Sequence, residues 1–197
     1  MEIGLFLLIA YLLGSLVPGL WIAQAYGVDI RQVGSGNIGS TNVYRALGFW
    51  PGFWVQVIDI GKAVVAVALV RWRFSEVWVW YSAATAAVLG HLYPIWAGLR
   101  GGKGVNTLLG AALMIEPLTA LGAVGVFGLV LGVFRYVSLS SMVAVSSFAL
   151  WHGIVGEGHL VGYLFGALWA ALVIYTHRAN IIRLLRGCEP RVGGQKP

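Results

Sequence analysis

The chain has a single cysteine, Cys188, so no intrachain disulfide can form and no cysteine-based zinc cluster is available. Charge is scarce as well, at 10% of residues. A soluble domain of 197 residues could not hide the 59% that is hydrophobic, because about half apolar is usual. No basic stretch precedes the first apolar run, which begins with the acidic Glu2, so a cleaved signal peptide is not expected. Neither G-x-S-x-G nor H-E-x-x-H occurs, which leaves a serine–histidine–acid triad and a zinc-protease site unsupported. No other residue cluster implies a metal or a cofactor.

What is present is long apolar runs, which read as transmembrane helices. The pattern predicts an all-α, polytopic membrane bundle of seven spans forming one domain over 1–197. The spans fall at 3–26, 50–70, 77–97, 104–115, 117–134, 138–155 and 159–176. Residues 104–134 as one helix would run about 45 Å, too long for a hydrocarbon core of about 30 Å. Glu116-Pro117 therefore marks a tight turn.

Charge counting tests that choice. With seven spans, Arg31, Arg45, Arg100, Lys103, Arg135, Arg178, Arg183, Arg186, Arg191 and Lys196 share one side, against Arg71 and Arg73 on the other. Merging the fourth and fifth spans sends the last six of those ten across. The positive-inside rule prefers the first arrangement, with the N-terminus outside and the C-terminus cytoplasmic. The net charge of +6 then reflects loop orientation and implies no nucleic acid. Trp50, Trp54, Trp78, Trp80, Trp96 and Trp151 fall near span ends, as interfacial tryptophans do. Gly128/Gly132 and Gly162/Gly166 have small-xxx-small spacing, predicting close helix packing. Asp59 and Lys62, three apart in the second span, are expected to neutralise each other, and neither aspartate has an evident histidine partner.

Three polar segments, 31–48, 98–107 and 177–191, land on the cytoplasmic face and can converge in space. In "GSGNIGSTNVYRALG", residues 34–48, Gly34, Gly36 and Gly39 match G-x-G-x-x-G. The strand of a dinucleotide fold is missing, and Ser40 occupies the lysine position of a Walker loop. The shared physics remains: glycine-exposed N–H groups at a helix start hold an anion. Ser35, Asn37, Thr41 and Asn42 add donors, and Arg45 adds a guanidinium fork. The bland alternative is a flexible loop with capping residues. In "GLRGGKGVNT", residues 98–107, Gly101, Gly102 and Gly104 surround Lys103 as a second cradle, while Arg100 fits membrane orientation alone. In "HRANIIRLLRGCE", residues 177–189, His177, Asn180 and Arg183 share a helical face. An amphipathic helix lying on anionic lipid explains the arginines there but not the short His177 and Asn180. Ser138, Ser140 and Ser141 begin the sixth span, as caps or as ligand contacts.

These motifs together, with "YVSLSS", resemble the PlsY family of bacterial membrane acyl-phosphate:glycerol-3-phosphate acyltransferases, over essentially the whole chain. Ile38 and Ser40 replace the family's usual proline and alanine, and Asn106 is larger than the usual residue. The resemblance implies transfer of a fatty acyl group from acyl phosphate to the 1-hydroxyl of glycerol 3-phosphate. The products are lysophosphatidic acid and phosphate, and the setting is the bacterial inner membrane with the active site facing the cytoplasm. It implies no cofactor, and as partner a soluble acyl-phosphate-producing enzyme. By the resemblance, Ser35, Arg45, Lys103, His177 and Asn180 carry the chemistry. Ser35, the 34–39 backbone and Lys103 should hold acyl phosphate. Arg45, His177 and Asn180 should hold glycerol 3-phosphate, with Thr41, Asn42 and Ser141 as second choices. Glu189 should fix an arginine such as Arg45 or Arg183.

The proton acceptor stays open among three readings. Other glycerolipid acyltransferases carry H-x-x-x-x-D, which is absent here: Trp96, Glu157, Leu164 and Ile182 stand five after His91, His152, His159 and His177. His177 could be the base, could only bind substrate, or a substrate phosphate could take the proton; an activated acyl phosphate favours the last. A phosphate or organophosphate transporter is the rival class. It should place polar groups at the bilayer midplane and on both faces.

Overall fold

The computed structural model describes residues 1–193. Lys196, counted above for orientation, lies outside them. Among the described residues the regular elements are helical and no strand is present. The chain divides into two compact units, Met1–Ile115 and Glu116–Pro197.

The first unit opens with α1 (Glu2–Gly14) and α2 (Pro18–Ala25). Pro18 sits in the first turn of α2, where its missing N–H does no harm, and it breaks the run before it. Next come α3 (Ser40–Leu47), α4 (Phe49–Arg73), α5 (Val77–Leu92) and α6 (Val105–Ile115). The sequence placed one span over 77–97. The α-helix instead ends at Leu92, because Tyr93 precedes Pro94 and leaves helical geometry; a short 3-10 turn follows at Ile95–Ala97.

Small residues let these helices approach. A Cβ on Gly14 would strike the Ala87 carbonyl, and one on Gly90 the Tyr11 carbonyl, so α1 and α5 cross in near backbone contact. Ala10, Ala66, Val70, Val79, Ala83 and Ala87 form the core between α1, α4 and α5. A second cluster, Val17, Ala23, Ile30, Ile38, Val43 and Val55, lies beneath the first glycine-rich loop and seats it. At about 1.5 Å per residue, α4 spans some 37 Å. Its far end carries Arg73, whose guanidinium forks onto the Glu2 carboxylate at 2.5 and 2.7 Å. Arg71 bonds the Met114 carbonyl and lies over Trp80.

The second unit contains α7 (Pro117–Phe134), α8 (Val137–Ser146), α9 (Phe148–Val155), α10 (Leu160–Thr176) and α11 (Arg178–Leu185). The turn at Glu116-Pro117 is where the sequence placed it, with Pro117 in the first turn of α7. The span read as 138–155 is two helices, bent by 42° at Ser147, whose hydroxyl turns back to the Ala144 carbonyl at 2.7 Å. A 62° bend at His177 separates α10 from α11. Of the four glycines expected to pack helices closely, Gly162 abuts the His152 ring and Gly166 abuts Phe148. Gly128 and Gly132 meet nothing within 4 Å among the described residues, because their side of α7 faces outward.

Among the described residues, three stretches are long and apolar enough to cross a membrane: Glu2–Ala25, Phe49–Arg73 and Pro117–Phe134. Counting each bent pair, α8–α9 and α10–α11, as one span gives up to five.

Candidate active site

In the first unit, the 34–39 loop is strung on Asn42, which is 2% exposed. Its amide oxygen accepts the Ser35 backbone N–H at 3.0 Å, and its nitrogen donates to the Ile30 and Val33 carbonyls. Asn37 likewise accepts the Gly39 N–H at 2.8 Å. Both asparagines therefore brace the loop through these bonds. Gly34 has φ of +61°, a left-handed turn that aims the chain over Asn42. Ser35 stays exposed at the loop tip, while Thr41 and Arg45 are half-buried on α3. Gly39 is the N-cap residue of α3. Its N-terminus supplies backbone donors without a side-chain cap.

The second cradle folds back onto the end of α5. The N–H groups of Gly101 and Gly102 donate to the Leu92 and His91 carbonyls at 3.0 and 3.1 Å. Gly102 leaves no room for a Cβ, which would strike the His91 ring. Lys103 follows, half-buried at the head of α6, with Gly104 at φ +82°.

The two cradles are tied together twice. Asn106 Nδ2 donates to Ser40 Oγ at 2.9 Å, joining the starts of α3 and α6. Arg31 donates to the Ala97 and Arg100 carbonyls at 3.1 and 2.8 Å. The sequence reading gave Arg31 only an orientation role, and no local signal marks its partners. Ser40 and Asn106 thus link the two loops directly. A double-mutant cycle of Ser40→Ala and Asn106→Ala is expected to give a coupling of about 1 kcal/mol in unfolding free energy. Additive effects would show that the bond does not form in solution.

In the second unit, Glu189 is the hub. One oxygen accepts the Ser138 hydroxyl and Asn180 Nδ2, both at 2.6 Å; the other accepts Arg183 Nε at 2.7 Å. Glu189, Asn180 and Ser138 are all buried. Burial pushes the Glu189 carboxyl upward, but the bonds from Ser138, Asn180 and Arg183, with the charge of Arg183, outweigh it and hold the group below its ordinary value. Arg183, one of the two arginines offered as its partner, pairs with it at 2.7 Å.

His177, 2% exposed, sits at the α10–α11 bend with Nδ1 2.8 Å from the Val173 carbonyl. A carbonyl only accepts, so Nδ1 carries the proton and Nε2 is the nitrogen able to exchange one. The serines do not cap α8: Ser140 and Ser141 return their hydroxyls to the Tyr136 and Val137 carbonyls.

Two contacts depart from the sequence reading. Asp59 does have a histidine beside it: His91 Nδ1 lies 3.3 Å from its carboxylate, next to the expected Lys62 pair at 2.7 Å. Glu116, His152 and His159 also gather, with candidate ligand atoms within 4.8 Å of one another. Those atoms are engaged internally: His152 bonds the Glu116 carboxylate through Nδ1 and the His159 carbonyl through Nε2. Both groupings join residues more than 30 positions apart, which no local spacing reveals.

A family profile described as glycerol-3-phosphate acyltransferase matches residues 4–187. The chain belongs to the glycerol-3-phosphate acyltransferase family. The family member from Thermosynechococcus vestitus is 43% identical, the alignment covering 98% of this chain and 97% of that protein. The member from Aquifex aeolicus is 46% identical, covering 95% and 98%. Among solved structures, the glycerol 3-phosphate form of PlsY, an integral membrane glycerol 3-phosphate acyltransferase, superposes with a TM-score of 0.92 at 40% identity, over 98% of this chain and 96% of that one. The lysophosphatidic acid form gives 0.90 at 39%.

Proposed function

We propose that this chain transfers a fatty acyl group from acyl phosphate to the 1-hydroxyl of glycerol 3-phosphate, beginning phospholipid synthesis. The observation that carries the reading is the pair of glycine-rich cradles, each at a helix start and tied to each other through Asn106 and Ser40. Two phosphoryl groups must be held against their mutual repulsion, and two preorganised anion sites meet that need. Ser35 and the 34–39 backbone hold acyl phosphate, with Lys103 helping. Arg45, His177 and Asn180 recognise glycerol 3-phosphate, Asn180 being oriented by Glu189.

The hydroxyl oxygen attacks the acyl carbon, the bond from that carbon to the phosphate oxygen breaks, and the hydroxyl proton leaves with inorganic phosphate. The donor phosphate takes that proton. One fact favours this over a histidine base: the leaving phosphate has a second pKa near neutrality, about 6. Orientation of the two substrates supplies much of the rate.

The membrane arrangement belongs to the same proposal: seven spans, N-terminus outside, C-terminus and cradles at the cytoplasmic face of the bacterial inner membrane, residues 1–197 acting as one enzyme domain. The Glu2–Arg73 fork supports it, since the N-terminus is bound at the end of α4 opposite the cradles. The family match running through both units supports the single domain. A soluble enzyme that makes acyl phosphate supplies the donor.

Purified protein given acyl phosphate and glycerol 3-phosphate is expected to release phosphate and form lysophosphatidic acid. No turnover, with acyl-coenzyme A used instead, would overturn the donor assignment. His177→Gln is expected to raise KM for glycerol 3-phosphate about tenfold with a smaller change in kcat. A kcat about 10³-fold lower at unchanged glycerol 3-phosphate affinity would make His177 the base.

A further inference from the structure

Beneath the second cradle lies a charged trio that the chemistry above does not use. Asp59 and Lys62 face each other on α4, and His91 closes on them from α5. Exposure is 2% for Asp59, 5% for Lys62 and 6% for His91. An ammonium has three N–H donors and no acceptor. Lys62 donates to His91 Nδ1 and to the Leu16 carbonyl, both at 2.8 Å, and its ammonium pairs with the Asp59 carboxylate at 2.7 Å. His91 Nδ1 must therefore accept, and in the neutral ring the proton resides on Nε2. This fixes both the tautomer and the plane of the imidazole.

The other edge of that ring is the seat of the loop. A Cβ on Gly102 would collide with Nε2, Cε1 and Cδ2 of His91. The same residue's carbonyl accepts the Gly102 N–H at 3.1 Å, and its neighbour Leu92 accepts Gly101. The residue that follows is Lys103. A charge-balanced group at this depth is costly to keep, yet it orders one surface in particular, the floor under the lysine.

We propose that Asp59, Lys62 and His91 are positioning residues for acyl transfer: the ion pair locks the His91 ring, and the ring sets the height and direction of the Gly101–Gly104 loop that carries Lys103. The kinetic consequence rests on the acyl phosphate reading given above; the seating of the loop does not.

Lys62→Ala alone would strand a buried carboxylate, so three other variants test the proposal. Asp59→Asn/Lys62→Met removes both charges together. His91→Ala removes the ring, and Gly102→Ala pushes on it from the loop side while leaving the ion pair intact. Two readouts are taken in detergent or nanodiscs: backbone amide exchange over 101–104, and KM for each substrate. In each folded variant the Gly101 and Gly102 amides are expected to exchange at least about tenfold faster. KM for acyl phosphate should rise about 10- to 100-fold, with KM for glycerol 3-phosphate changed by less than about twofold. A purely structural loss would lower the active fraction and leave both KM values alone. Wild-type exchange over 101–104, or faster exchange with an unchanged donor KM, overturns the proposal. If wild-type protein does not consume acyl phosphate, the donor assignment falls, and the exchange arm alone decides whether the trio seats the loop.

Discussion

Lys103→Ala is expected to lower acyl transfer by about 10²- to 10³-fold, the loss found when a preorganised donor to developing charge is removed. Arg100→Ala, three residues away, should stay within about twofold of wild type, as surface changes do. Both are basic, and the sequence reading already parts them, giving Arg100 membrane orientation alone. Their surroundings differ. Lys103 is half-buried between two glycines at the head of α6, where helix N–H groups already favour an anion. The Arg100 side chain is exposed, and the part of it that matters to the fold is its carbonyl, which accepts Arg31 and survives the substitution. Steady-state rates with acyl phosphate decide the matter. Equal losses in both variants would mean that general basicity of the loop, and no particular lysine, holds the donor.

The second large effect belongs to Glu189. Glu189→Ala takes the acceptor from Ser138, Asn180 and Arg183 at once. Hydrogen bonds to a charged group contribute about 1.5–3 kcal/mol each, and buried donors left unmatched are destabilising. Asn180 also loses the bond that aims its amide, so activity is expected to fall about 100-fold, mainly through KM for glycerol 3-phosphate. Glu189→Gln should fall between, since it keeps the shape and loses the charge.

The pH dependence has a definite sign. The Glu189 carboxyl is held below its ordinary value in the folded protein. Its contribution is therefore complete above the ordinary glutamate range and is lost as pH falls through the lower, folded value. Wild-type protein should lose melting temperature on acidification through that window, and Glu189→Gln should show a shallower loss. Parallel acid limbs in the two proteins would assign the acid sensitivity to other carboxylates.

What the sequence disclosed follows from the range of each physical rule. Pro117 acts within a turn, so the start of α7 was legible, whereas the break before Pro18 lay inside a first span read as continuous over 3–26. The bend at Ser147 was not legible, because hydropathy runs smoothly through it; at His177 the polarity change marked the end of a span but not the angle. Asn180 and Arg183 were legible as one helical face. Their acceptor was only half legible: Glu189 could be named as fixing an arginine, but Ser138, 51 positions away, carries no local mark of belonging with it. Asn42 shows the same limit from the other side. An asparagine beside glycines reads as a ligand donor, and only tertiary structure shows its amide holding the loop that bears Ser35. His91 reads as a solitary buried histidine until α4 and α5 are brought together.

The interruption before Pro18 has a use beyond ending α1. Leu20 and Trp21 both donate to the Val17 carbonyl, so the ladder skips Leu16. That spare oxygen is the one Lys62 reaches. Irregular backbone is tolerated at bilayer depth where a neighbour satisfies it, and here the exchange is mutual: the discontinuity supplies an acceptor, and the ammonium supplies a donor. A continuous first helix would withdraw that oxygen and orphan one N–H of the buried Lys62 ammonium. The kink in the first span is thus a socket for the second.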